Sequence, residues 1–267
     1  KSFVPLIAYS YYVNKNVFAF LEDRNGNYWI GLRDVGLVKA HYTEFEKETP
    51  NLEVIDSYNG LVDKFIFALF QDKEENIWIG TYGGGALRFS GKRFETFTKQ
   101  HGIVDNFIWC GQQNNLGDIW IGCDAGGISR LRYDSYRKLY LITGYTNKNG
   151  LSNDRVYSLA EDDRGNLWIG TDDGLTFIDL DEKGDPVKFY SYFQKDGLMK
   201  DRVRSCFFDK KGSLWLGYQG GGVDRVTIEK NGKTGGERLV QSEVEGSRTM
   251  PPRLKCSSME NNILKNF

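Results

Sequence analysis

Proline and histidine are scarce in this sequence, with 5 prolines and 2 histidines in 267 residues, beside 31 glycines. Few prolines and many glycines suit short strands joined by tight turns rather than long helices. The histidines, His41 and His101, stand in non-equivalent loops with no Ser or Cys nucleophile motif, so neither a catalytic triad nor a metal site has support. The four cysteines, Cys110, Cys123, Cys206 and Cys256, show neither metal-ligand spacing nor the density of a disulfide scaffold, and they read as small buried side chains. No apolar run approaches the roughly 18 residues a membrane span requires. A formal charge of -1 gives no global reason to expect nucleic acid or an acidic membrane surface as partner. The opening Lys1 to Ala8 has no initiator Met and is too short for a signal peptide's apolar region, so the chain reads as an excised segment.

What the sequence does contain is a repeat. Trp29, Trp78, Trp120, Trp168 and Trp215 each open a W-I-G or W-L-G triplet, separated by 49, 42, 48 and 47 residues. That is the period of four short strands with their turns. Three residues before each Trp stand Gly26, Glu75, Gly117, Gly165 and Gly212, and six before stand Asp23, Asp72, Asn114, Asp162 and Asp209. The resulting D-x-x-G-x-x-W-I-G pattern predicts a hairpin, with the acid or amide binding backbone N–H groups and the glycine taking a positive φ. Asp23, Asn25 and Asn27 alternate like a calcium loop, but the further oxygen ligands and the closing Glu are missing, so turn capping is the expected role.

Ahead of each hairpin a strand begins at Val17, Ile66, Ile108, Val156 or Val203, and two residues on every copy is small: Ala19, Ala68, Cys110, Ser158, Ser205. The intervening residue is bulky, as alternation predicts: Phe18, Phe67, Trp109, Tyr157, Arg204. Trp109 is expected in the core, as are the five repeated tryptophans. Gly60, Gly102, Gly150 and Gly197 precede four of these strands in a G-L or G-I step. The expected fold is all-β, a β-propeller of four-stranded antiparallel blades, with repeats at about 11–58, 59–100, 101–148, 149–195 and 196–228 and an irregular, poorly ordered tail at 229–267.

The unit N-G-L-x4-V-Y-S-L-A-E-D-D-R-G-N-L-W-I-G-T-D-D-G-L, Asn149 to Leu175, closely resembles the two-component regulator propeller repeat. The resemblance covers about residues 11–228. It implies the sensor region of a hybrid histidine kinase, many of which come from gut Bacteroidetes, or of a diguanylate cyclase. It implies a location on the periplasmic or extracellular side of a membrane-anchored parent whose kinase is not in this chain. Such propellers commonly close seven blades, which makes the five blades here an arc of a seven-bladed ring; a closed five-blade ring is the alternative. Residues 1–10 would then supply the last strand of a preceding blade.

Strand order places the D-x-x-G turns at one face of the disc, and the inter-blade loops with the turns after the Trp strands at the other. The second face collects varied polar residues, of which Arg33, Lys64, Tyr82, Asn106, Arg155, Arg202 and Tyr218 are the candidate ligand contacts. Planar polar groups with tyrosines suit a carbohydrate or another small polar ligand. No catalytic residue, metal or cofactor is expected. The glycine runs 83–85 and 220–222 lack the Lys-Ser or Lys-Thr ending of a phosphate loop and read as tight turns. Two other readings remain at this stage. The hairpin is similar to the Asp-box of sialidases, so a glycan-directed or lyase-like propeller enzyme would have to recruit Arg33, Arg155 and Arg202 with Tyr82 or Tyr218. A protein-binding scaffold, including a homodimer through the parent receptor, is the other.

Overall fold

The computed structural model describes residues 15–41, 51–229 and 238–241. The chain divides into two compact units, 1–112 and 113–267. Five four-stranded sheets follow one another along the sequence, and each is a blade of a β-propeller. The first holds β1 (Val17–Glu22), β2 (Tyr28–Leu32), β3 (Gly36–His41) and β4 (Asn51–Ile55). The second holds β5 (Ile66–Gln71), β6 (Ile77–Thr81), β7 (Ala86–Phe89) and β8 (Phe94–Phe97). The third holds β9 (Ile108–Gln113), β10 (Ile119–Cys123), β11 (Ile128–Asp134) and β12 (Leu139–Tyr145), and the division between units falls at the end of β9. The fourth holds β13 (Val156–Glu161), β14 (Leu167–Thr171), β15 (Leu175–Leu180) and β16 (Pro186–Tyr192). The fifth holds β17 (Val203–Phe208), β18 (Leu214–Tyr218), β19 (Val223–Glu229) and β20 (Arg238–Gln241). Strand β20 pairs antiparallel with β19 inside the stretch expected to be irregular. A fourth strand pairs through its backbone, so a variable sequence hides it. The rest of the expected tail, Cys256 and the strand assigned to residues 1–10 lie outside the described residues.

The acid of the repeat does more than cap a turn. In the first blade Asp23 Oδ1 accepts the N–H groups of Asn25 and Asn27, each at 2.9 Å, while Oδ2 accepts the indole N–H of Trp29 at 2.8 Å. The same indole bond recurs from Trp78 to Asp72 at 2.8 Å, from Trp168 to Asp162 at 3.3 Å and from Trp215 to Asp209 at 2.9 Å. A buried indole requires an acceptor, and the turn supplies it. Six-residue spacing between acid and Trp therefore ties hairpin to core.

The third blade reverses the pair. Asn114 takes the place of the acid and Asp118 that of the amide, represented elsewhere by Asn27, Asn76 and Asn166. The Asn114 side-chain oxygen accepts the N–H of Asp118 at 2.9 Å, and the Trp120 indole nitrogen is buried without a hydrogen-bond partner. Trp120 is held from its face instead by the Arg130 guanidinium, 5.4 Å from the ring centroid. Arg130 is bound in turn by Asp118 at 2.6 Å and by Asp185 of the fourth blade at 2.7 Å. Burial works against the Arg130 charge, and Asp185 and Asp118 more than offset it.

Trp29, Trp78, Trp120 and Trp168 are buried, as expected of blade-to-blade core. The glycine of W-I-G explains the small residues opposite. Ala19 pairs with Gly31, Ala68 with Gly80, Ser158 with Gly170 and Ser205 with Gly217. A Cβ at Gly80 would stand 2.8 Å from Ile108 of the next blade and 2.9 Å from Ala68. Blades stack there at backbone distance, so neither strand tolerates bulk. Gly60, Gly102, Gly150 and Gly197 each end a single 3-10 turn with φ between 96° and 115°, a short helical element that the G-L step did not reveal. Cys123 and Cys206 are buried, Cys110 is half-buried, and none of the three is in a disulfide. Burial pushes the Cys206 thiol up to about 11.

Candidate ligand-binding face

Alignment of the blades on their tryptophans separates side chains consumed by the fold from those that vary between blades. Three positions vary most in chemistry. Four residues after Trp stand Arg33, Tyr82, Asp124, Asp172 and Gln219; immediately before the first strand stand Asn16, Phe65, Phe107, Arg155 and Arg202; second in that strand stand Phe18, Phe67, Trp109, Tyr157 and Arg204. The backbone gathers them. The N–H of Arg33, Tyr82, Asp172 and Gln219 donates to the carbonyl of Asn16, Phe65, Arg155 and Arg202 respectively, at 3.0 to 3.1 Å. Gly85, Gly127 and Gly174 donate to Asn106, Asp154 and Asp201 in the following inter-blade loops. The loops expected to share one face are thus bonded to each other.

A β-bulge sharpens this arrangement. The register shifts between Val17 and Ala19, Ile66 and Ala68, Val156 and Ser158, and Val203 and Ser205. Phe18, Phe67, Tyr157 and Arg204 are therefore left out of the ladder, whereas simple alternation had them as ordinary strand residues. A bulge re-aims its side chain, and bulges cluster beside functional sites.

At each junction within a unit the turn residue of one blade meets the residue before the first strand of the next. In the first unit Arg33 lies over Phe65 at 5.3 Å, and the Tyr82 and Phe107 ring centroids are 4.1 Å apart. Phe67 is 4.9 Å from both Phe18 and Trp109. Six aromatic rings so form one partly exposed cluster, with Tyr82 50% and Phe18 45% exposed. Trp109, expected in the core, is half-buried within it.

In the second unit the same positions are ionic. Arg155 Nε lies 3.0 Å from Asp124, and Arg202 Nε lies 2.7 Å from Asp172. Tyr157 donates to Asp172 at 2.7 Å, and the Arg204 guanidinium covers the Tyr157 ring at 3.8 Å. Burial, together with Asp172, pushes the Tyr157 phenol up, so it stays a donor. Asp124 reinforces the positive charge of Arg155. Arg155 and Arg202 are each 46% exposed, and each is held by the carboxylate of a neighbouring turn.

Four of the seven candidate residues, Arg33, Tyr82, Arg155 and Arg202, occupy these varying positions. Lys64 is exposed one residue away. The Asn106 side-chain oxygen accepts the Lys99 N–H at 2.7 Å, fixing the 3-10 turn, a role that Asp154 and Asp201 repeat toward Asn147 and Gln194. Tyr218 does not reach the face. It is 6% exposed and donates to buried Asp224 at 2.6 Å, because the residue three after Trp points inward in every blade, as Leu32, Thr81, Cys123 and Thr171 do. Phe18, Phe65, Phe67, Phe107, Asp124 and Tyr157 were not among the candidates, although blade-by-blade alignment singles them out. Among the described residues no group of His, Cys, Asp and Glu is placed to hold a metal, and no helix is long and apolar enough to cross a membrane.

Three stretches of the chain match the two component regulator propeller family: residues 11–34, 60–83 and 150–173. Each match contains a first strand and the W-I-G strand and ends in the varying turn after it. Among solved structures, the chain is similar to the extracellular domain of BT4673 of B. thetaiotaomicron, a protein described as a hybrid two component system, with 21% identity and a TM-score of 0.68. It covers 90% of this chain and 32% of that one. The extracellular domain of BT3049 from the same organism gives 21% identity, a TM-score of 0.65 and coverage of 85% and 32%. The chain thus spans about a third of each of these two solved domains. A catalytically inactive virginiamycin B lyase from Staphylococcus aureus, with quinupristin, gives 11% identity, a TM-score of 0.60 and coverage of 87% and 72%. These likenesses establish the propeller fold. No curated protein matches the sequence.

Proposed function

We propose that this chain is part of the sensor region of a two-component receptor. Its blades bind a carbohydrate or another small polar ligand on the outer side of a membrane, and a kinase elsewhere in the parent protein transmits the event. The supporting observation is the segregation of side chains. Those that repeat are spent on turns and core, whereas those that differ between blades gather where the inter-blade loops meet the turns after Trp. Partly exposed aromatic rings offer flat apolar faces, and buttressed arginines offer directed donors, the two elements with which pockets orient polar rings. The matched repeats and the hybrid two component neighbours support the signalling context.

A thermal-shift screen of the chain against an oligosaccharide panel tests the reading. A saturable rise in Tm that is lost in Tyr82→Ala or Arg155→Gln, but kept in a variant of the opposite turns such as Lys211→Ala, supports it. A ligand response indifferent to Tyr82 and Arg155 counts against it.

A further inference from the structure

The outermost strand of each blade has one edge bonded to the third strand and, among the described residues, no strand on its other edge. Such an edge is a template for any extended chain, and folded proteins commonly guard it with charge or proline. Four of the five are guarded in this way. Glu53 stands at the centre of β4, Glu95 lies in β8, Pro186 and Lys188 lie in β16, and Arg238 opens β20. Strand β12, Leu139 to Tyr145, reads L-Y-L-I-T-G-Y and holds neither a charged residue nor a proline.

The side chains along that rim are apolar and exposed. Leu139 is 45% and Leu141 40% exposed, and strand alternation sets both on one face of the blade. Across the ladder Leu141 pairs with Arg132, which Asp118 holds at 2.9 Å and Asp185 at 3.1 Å. The cation beside the leucines is therefore already matched within the chain. A Cβ at Gly184 would stand 2.7 Å from Leu116 and 3.3 Å from Arg132, so Leu116, 52% exposed, extends the same apolar surface. All of these residues belong to the second unit.

We propose that β12 adds to β12 of a second copy of the chain, antiparallel about a two-fold axis, so that two four-stranded blades become one eight-stranded sheet. A second copy is the occupant because β12 itself has the chemistry its edge accepts, an extended uncharged strand with leucines at alternate positions. In any register, no charged residue of one β12 opposes another. The same operation on β4 would set Glu53 against Glu53, and like charges directly opposed destabilise a ladder. The contact is isologous, so it closes at two copies. One strand edge is a small interface, and the dimer population accordingly depends on concentration. Strand β12 contributes none of the residues of the candidate ligand-binding face, so the pairing stands apart from the ligand reading.

Sedimentation of the wild-type chain from micromolar to millimolar concentration, with Leu141→Lys and Leu141→Glu beside it, tests this. The wild type should rise from the mass of one chain to that of two. Each variant alone should stay at one chain, because its charge meets its own copy near the axis. An equimolar mixture of the two variants should regain the two-chain mass, since opposite charges then meet. Circular dichroism should not change in either variant, because Leu141 is exposed. A wild type that keeps the mass of one chain throughout overturns the proposal. So does a dimer that both variants form as readily, and so does a mixture that recovers nothing.

Discussion

Asp172 holds Arg202 at 2.7 Å across the junction of the fourth and fifth blades, and the same carboxylate accepts the Tyr157 hydroxyl. One acidic side chain in a turn thereby orders a guanidinium on the next inter-blade loop. Because Arg202 is 46% exposed, solvent screens the pair. A double-mutant cycle of Asp172→Asn and Arg202→Gln should give a coupling of about 0.5 to 1 kcal/mol in urea unfolding. Ligand affinity should fall further than stability in Arg202→Gln; equal losses would mark the pair as purely structural.

The Asn114 and Asp118 reversal yields a second expectation. Asp118 is 3% exposed and binds both Arg130 and Arg132. Asp118→Asn leaves Arg130 buried with Asp185 as its remaining carboxylate, and should cost about 2 to 3 kcal/mol. Asn114→Asp alone should also destabilise, since it sets two carboxylates side by side where the other blades pair acid with amide or hydroxyl. A neutral result for both variants in denaturant titrations would remove the ionic contact from the account.

Close stacking at the W-I-G glycines predicts that Gly80→Ala destabilises by about 1 to 3 kcal/mol, since its Cβ would meet Ile108 and Ala68 below 3.0 Å. Pairing it with Ile108→Ala should recover part of the loss. Additive effects of the two substitutions would show that the contact does not limit the packing.

Acid sensitivity follows from the hairpins. Burial pushes Asp23 up, but hydrogen bonds from Trp29, Asn27 and the turn N–H groups hold it below the usual carboxylate range. The Trp215 indole and the Ser213 N–H hold Asp209 low as well. Both acids are lowered in the folded state, so their contribution is complete above the unfolded value of about 3.9 and is lost as pH falls through their folded values. The unfolding free energy should therefore drop below about pH 4, less steeply in Asp23→Asn/Asp209→Asn. Identical slopes in the two proteins would refute the assignment.

The blades were legible because every copy solves the same packing problem, so Trp, the acid six residues before it and the small residues opposite glycine recur at fixed spacing. The indole bond between Trp and acid was hidden, since spacing alone does not tell a turn cap from an acceptor for a ring nitrogen. The face was half legible. Arg33, Tyr82, Arg155 and Arg202 stood out as polar or aromatic loop residues, but their partners come from different repeats, and pairing Asp172 with Arg202 requires knowledge of which turn meets which loop. Phe67 and Tyr157 passed as ordinary alternation because a bulge leaves no mark in composition. Tyr218 misled because the turn was taken to begin one residue too early.

Hydrogen exchange of the wild-type chain, with and without a ligand found by the oligosaccharide screen, tests the central claim most directly. The account predicts slowed exchange at residues 63–67, 82–85, 105–109, 153–157, 172–174 and 201–204, with the D-x-x-G turns unchanged. Protection confined to those turns, or to the outer strands β4, β8, β12 and β16, would contradict it.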